Sequence, residues 1–217
     1  MSCILCQDRT PSGEFICKKC LSKLTEKPPL TCSKCGEKLE QDYRLCYSCK
    51  NEMRYYDKLY NLGFYQREMG DIVKKIKFRE NIKLCRYMGG VLGEELKRRF
   101  PGTELIIPVP VSKTRFHERG FNQALELARG VGSVMKKKVL NNLVLKDDVP
   151  PLENRGRKER KRIMRNCFQP SRKIGKVEGK NLLIIDDVYT TGSTVNYLAK
   201  LLRKYKPVRI NVGVISR

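Results

Sequence analysis

Eight of the ten cysteines fall in the first fifty residues as four C-x-x-C pairs: Cys3 and Cys6, Cys17 and Cys20, Cys32 and Cys35, Cys46 and Cys49. A segment this short, with few large apolar side chains, cannot bury enough surface to fold alone, so its sulfurs must take the place of a core. The unit C-x2-C-x10-C-x2-C occurs twice, an internal repeat. Each unit offers four thiolates, the donor set of tetrahedral Zn²⁺. Gly36, directly after Cys35, lets the backbone turn beneath the metal. The symmetry of the repeat favours sequential pairing: Cys3, Cys6, Cys17 and Cys20 in one site, Cys32, Cys35, Cys46 and Cys49 in the other. A disulfide framework is the alternative, and it needs an oxidising compartment. The opening MSCILCQDRTPSGEF lacks the basic and apolar regions of a signal peptide. The expectation is a cytoplasmic chain whose zinc is structural, because sulfur fills every ligand position and leaves none open for chemistry.

Charge narrows the partners. The chain carries 46 Lys+Arg against 23 Asp+Glu, a net +23. Residues 1–50 contribute only nine basic and six acidic groups, so the excess belongs to residues 51–217. A surface this basic calls for an anionic partner, and phosphates are the natural one. Hydrophobic residues make up 40%, enough for a packed core and too many for a disordered polycation. No run approaches the ~20 apolar residues that span a bilayer.

Beyond residue 50 the pattern reads as α/β. Tyr55, Tyr56, Tyr60, Phe64 and Tyr65 favour extended structure. Ile72, Val73 and Ile76 give a helical stripe from Met69, with lysines interleaved. Residues 82–99 read as a second helix, and Gly89 and Gly90 inside it predict a close helix contact. Leu105 to Pro110 fits a short buried strand that opens into a loop. Phe121 to Val134 is a further amphipathic helix. Leu182 to Ile185 is an apolar strand, followed by Asp186-Asp187-Val188-Tyr189-Thr190-Thr191-Gly192-Ser193-Thr194 and a helix through Val195, Leu198, Leu201 and Leu202.

Strand, acidic pair, hydroxyl-rich loop and helix together predict a phosphate-and-sugar site of the open α/β kind. Backbone N–H groups of residues 191–194 would face a phosphate, with Thr190, Thr191, Ser193 and Thr194 adding hydroxyls and Gly192 permitting close approach. Adjacent strand residues point to opposite faces, so at most one of Asp186 and Asp187 should face a cleft unless the backbone twists or they lie in an extended loop. The plain alternative is that one of them caps the following turn.

Residues 183–194 resemble the PRPP signature of type I phosphoribosyltransferases. Pro108-Val109-Pro110, Arg115 and Arg119-Gly120-Phe121-Asn122-Gln123 resemble the ComF family, as does a double zinc ribbon placed ahead of such a domain. The resemblance implies a zinc ribbon module over residues 1–50 and, over 51–217, a phosphoribosyltransferase-like parallel sheet flanked by helices. It implies that Asp186 and Asp187 are the catalytic carboxylates and hold the ribose hydroxyls. Residues Thr190 to Thr194 would hold the 5′-phosphate, and Lys113, Arg115 and Arg119 would lie in a loop near the pyrophosphate. Mg²⁺ would accompany PRPP. It also implies a role in DNA uptake during natural transformation, with single-stranded DNA and with a competence helicase or other uptake proteins as partners. His117, the single histidine, is not needed as a catalyst.

One further run stands out. Between Arg155 and Arg165 lie Arg157, Lys158, Arg160, Lys161 and Arg162, opposed only by Glu159. Such a run can be a solvated face; beside a phosphate site it can also track a nucleic-acid backbone without reading sequence.

Overall fold

A computed structural model describes residues 1–148 and 167–217. In chain order its elements are α1 (Lys18–Thr25), α2 (Tyr47–Asn51), β1 (Lys58–Gly63), α3 (Arg67–Lys75), α4 (Ile82–Arg99), β2 (Leu105–Pro108), α5 (Lys113–Arg119), α6 (Gln123–Met135), β3 (Lys138–Val139), β4 (Val144–Lys146), β5 (Phe168–Pro170), β6 (Asn181–Val188), α7 (Ser193–Arg203) and β7 (Arg209–Ser216). Short 3-10 turns lie at Arg79–Asn81 and Ile174–Val177.

Five strands form one sheet in the order β1-β7-β6-β2-β3, and every pairing is parallel. A parallel sheet is covered on both faces, which is why its central strand reads as an unbroken apolar run. Leu182, Leu183, Ile184 and Ile185 of β6 are all buried completely. Their period of two splits them between faces. Leu183 and Ile185 join a core with α3, α4 and α6, and Leu182 and Ile184 join one with α7. A separate antiparallel pair, β4 and β5, sets Leu145 opposite Gln169.

The contact expected at Gly89 is present. A Cβ there would lie 2.2 Å from the Leu127 carbonyl oxygen, and one at Gly130 would lie 2.2 Å from that of Arg86. The backbones of α4 and α6 thus meet where only glycine fits. Helix α6 begins at Asn122, whose side chain accepts from Leu125 N at 3.3 Å and donates to the Val109 carbonyl at 3.1 Å. One side chain therefore caps the helix and pins it to the end of β2.

Two expectations need correction. The segment after Pro110 is a helix, α5, and not a loop: Asp148 accepts from Thr114 N at 3.0 Å at its start, and Gly120 closes it at φ 73°. The acidic pair lies within β6, which runs to Val188, and not in a loop beyond the strand.

Candidate functional site

At the carboxyl ends of β2 and β6 lies a cavity of about 160 Å³ whose walls include Asp186, Asp187, Thr194, Arg115, Arg119 and Lys146. Ligands of open α/β sheets bind at this end of the strands. Asp186 and Asp187 both line it although they are neighbours on a strand. Each carboxylate turns back on the next amide: Asp186 accepts from Asp187 N at 3.0 Å, and Asp187 from Val188 N at 2.8 Å. Burial, then repulsion from Asp187, pushes the Asp186 carboxyl well above the usual carboxylate range, with Lys146 pulling the other way. Such a pair stores electrostatic strain that a cation or a hydroxyl donor relieves.

The sequence did not single out Lys146, which reaches the cavity from β4. Burial lowers its pKa, and nearby Arg115 adds to the lowering against the opposing pull of Asp186. Its Nζ sits 5.5 Å from the centre of the Phe168 ring. Gln123 also borders the cavity. It is only 4% exposed, and among the described residues its Nε2 has no partner. A buried donor left unmatched is costly, and a ligand oxygen is one way to match it.

The remaining predicted residues sort around this cavity. Thr190, Thr191 and Ser193 are exposed, at and just before the start of α7. Gly192 holds φ 74°, and a Cβ there would meet the Tyr189 hydroxyl at 2.1 Å, so no other residue fits. Thr191 and Ser193 hydroxyls lie 3.0 Å apart. Of this loop only Thr194 reaches the cavity wall; Thr190, Thr191, Gly192 and Ser193 do not, nor does Lys113, which is exposed at the start of α5. The basic residues Arg155, Arg157, Lys158, Arg160, Lys161, Arg162 and Arg165 lie outside the described residues.

A buried network fixes the loop from below. The Tyr189 and Tyr56 hydroxyls are 2.8 Å apart, and their rings meet edge to face. Arg217 stacks 4.7 Å from the centre of the Tyr189 ring. The same guanidinium donates to the Cys35 carbonyl at 3.3 Å and pairs with Glu37. No spacing in the sequence signals these contacts, because their members come from four separated segments.

The cysteines gather as the repeat predicts. The sulfurs of Cys3, Cys6, Cys17 and Cys20 lie within 4.8 Å of one another, as do those of Cys32, Cys35, Cys46 and Cys49. Cys6 to Cys17 and Cys35 to Cys46 are both 3.6 Å. A tetrahedron of ~2.3 Å Zn–S bonds has edges of about 3.8 Å. Two closed four-cysteine sites for structural zinc fit these positions.

Comparison with known proteins agrees with both halves. The Double zinc ribbon domain family matches residues 1–56, and the Phosphoribosyl transferase domain family matches residues 127–217. Competence protein F of Haemophilus influenzae is 29% identical, covering 93% of this chain and 90% of its own. Competence protein ComFC of Bacillus subtilis is 27% identical, over 94% and 85%. DNA utilization protein YhgH of Escherichia coli is 26% identical, over 99% and 96%. Among solved structures, the glutamine PRPP amidotransferase of B. subtilis superposes at a TM-score of 0.45 with 16% identity, over 65% of this chain and 30% of that one. Similarity to these relatives runs along nearly the whole chain, through the segment matched by the Double zinc ribbon domain family and the segment matched by the Phosphoribosyl transferase domain family alike.

Proposed function

We propose that this protein binds PRPP or a related phosphorylated ribose together with Mg²⁺, and that it works on single-stranded DNA during DNA uptake. The observation that carries the first part is the convergence of Asp186, Asp187 and Thr194 with Arg115, Arg119 and Lys146 on one small cavity. Carboxylates suit ribose hydroxyls, Thr194 at the start of α7 suits a phosphate, and three cations suit a pyrophosphate. The two carboxylates are also the hard oxygen donors that would hold Mg²⁺, directly or through water. Bound there, Mg²⁺ would neutralise pyrophosphate charge. The second part rests on the relatives named for competence and DNA utilization and on the basic surface. In that setting the zinc ribbon is a docking module for other uptake proteins, and the protein works in the cytoplasm. No helix among the described residues is long and apolar enough to cross a membrane.

A second reading is an active phosphoribosyltransferase of the salvage type with a nucleobase acceptor. Lys146 favours it. With Arg115 and Arg119 this residue would stabilise charge developing on the departing pyrophosphate, and such placed charge is the main source of acceleration when the ribose C1 is attacked.

Calorimetric titration of PRPP with Mg²⁺ tests both. Wild-type protein should bind, and Asp186→Asn/Asp187→Asn should lose at least tenfold in affinity, by analogy with loss of charge-assisted bonds. Absence of binding by folded, zinc-replete wild type would overturn the reading. Release of pyrophosphate with one nucleobase of a screened set would establish the transferase.

A further inference from the structure

Outside the cavity, an open groove of about 730 Å³ runs between α3 and α5. Its walls include Lys74, Lys77, Phe78, His117 and Arg119. Phe78 is 61% exposed, and Phe116, next to His117 on α5, is 47% exposed. A single exposed apolar residue is ordinary. These two rings are unusual in their company. Lys74, Lys77 and Arg119 line the groove itself, and Lys113 and Arg115 precede Phe116 on α5. Against these cations stand Glu118 and Asp71, and the latter is engaged with Lys74 at 3.6 Å. An apolar partner would meet a ring of desolvated charges here, so the groove is poorly made for a hydrophobic peptide.

We infer that the groove binds single-stranded nucleic acid, with Phe78 in its wall and Phe116, the neighbour of the wall residue His117, stacking on bases, and with Lys74, Lys77 and Arg119 contacting the phosphate backbone. Every base has a π-face, so stacking gives affinity without sequence readout, and paired bases in a duplex are not free to provide it. Arg119 belongs to both the groove and the cavity, so a strand in the groove brings a phosphate to the cavity mouth. The inference rests on the strand-handling part of the proposed function. It assigns that role to residues other than the basic run at 155–165.

Fluorescence anisotropy with an oligothymidylate of roughly 12 nucleotides, and with an abasic strand of the same length, separates the two contributions. Phe78→Ala/Phe116→Ala should weaken oligothymidylate binding about tenfold. The same variant should leave the abasic strand and the salt slope unchanged. Lys74→Gln/Lys77→Gln should instead reduce the salt slope, by roughly 0.7 per lost contact, for both strands. Equal weakening of both strands by the Phe substitutions, or no weakening of either, would overturn the inference. So would selective loss of binding to a polyglutamate probe, which would assign the groove to an acidic protein. Titration of PRPP with Mg²⁺ into the Phe variant should match wild type, which shows the fold intact. If wild type itself binds no PRPP while the oligothymidylate result holds, the cavity reading falls and the groove stands.

Discussion

The first zinc knuckle, Cys3 to Cys20, packs on the sheet face that carries α3, α4 and α6, whereas the second, Cys32 to Cys49, packs on the face that carries α7. Their spacing is identical and their surroundings are not. The first keeps Cys6 exposed and Cys17 and Cys20 half-buried. It touches the sheet domain through side chains: Phe15 lies 5.5 Å from the Tyr87 ring of α4, and Tyr87 donates to the Ile16 carbonyl at 3.3 Å. The second buries three of its four sulfurs. It is joined to the sheet by main chain, since Leu59 N of β1 donates to the Lys34 carbonyl at 2.9 Å. Arg217 then links its Cys35 carbonyl to Tyr189, directly beneath the loop of Thr190 to Thr194. A duplicated motif has thus been put to two uses: one copy covers a helix, and the other underpins the candidate site.

The largest effect should come from removing one metal at a time. Structural zinc supplies folding free energy outright, on the order of 10 kcal/mol in small metal modules. Cys6→Ser and Cys35→Ser should each leave zinc in only one of the two sites, as atomic spectroscopy would count. Only Cys35→Ser should also weaken PRPP binding tenfold or more, because that knuckle, through Arg217 and Tyr189, holds the Thr190 to Thr194 loop from below. Cys6→Ser should stay within about twofold of wild type, the level expected for a distant, independent site. Equal losses of affinity would dissolve the distinction between the knuckles.

A smaller effect should follow from cutting the link itself. Tyr56→Phe leaves the Tyr189 hydroxyl buried without its partner, which costs about 1–3 kcal/mol in stability. Tyr189→Phe should cost a similar amount, and the double variant should recover much of it, since removing both polar partners is nearly neutral. Chemical denaturation of the four proteins gives the coupling. Strict additivity would show that the 2.8 Å contact between the hydroxyls carries no energy and that the knuckle reaches the loop by other routes.

Much of this was legible in the chain, and the part that was not has a common cause. Periodicity placed α4 at 82–99, and the two glycines announced its close neighbour, because helix contacts are written in local sequence. The symmetry of the cysteine repeat favoured the sequential grouping of sulfurs that the fold shows. Asp186, Asp187 and Thr194 were read from one continuous motif and Arg115 and Arg119 from another, and the fold brings these five to the wall of one cavity. What escaped depends on segments brought together only by folding. Lys146 enters the cavity from a three-residue strand with no pattern of its own. Helix α5 is short, and its start is held by Asp148 from a distant loop. Tyr56, Tyr189 and Arg217 are ordinary in sequence and meet only because β1, β6 and β7 lie in one sheet.

The stretch between the knuckles offers the mildest test and the one with a pH signature. Lys27 follows α1, donates to the Asn61 carbonyl of β1, and lies over the Tyr60 and Phe64 rings at 4.9 and 5.3 Å. Burial, then repulsion from Arg99, lowers its pKa from 10.5 to about 8, against the pull of Glu95. Between those two values the unfolded chain holds a proton that the folded chain has released, so the Lys27 contribution to stability rises with pH across the window. Below about 8 the folded protein carries the full cost of a desolvated ammonium. Lys27→Met keeps the aliphatic stem against the rings and removes that cost. Its melting temperature at pH 7 should exceed that of wild type by about 2–4 °C, the shift expected per kcal/mol for a chain of this size. The difference should shrink as pH rises towards 10.5. Zinc content should not change, because Lys27 holds the connecting stretch to β1 and touches neither set of sulfurs. Loss of zinc on this substitution would mean that the connection, and not the separate packing of each knuckle, determines how firmly the two sites are held.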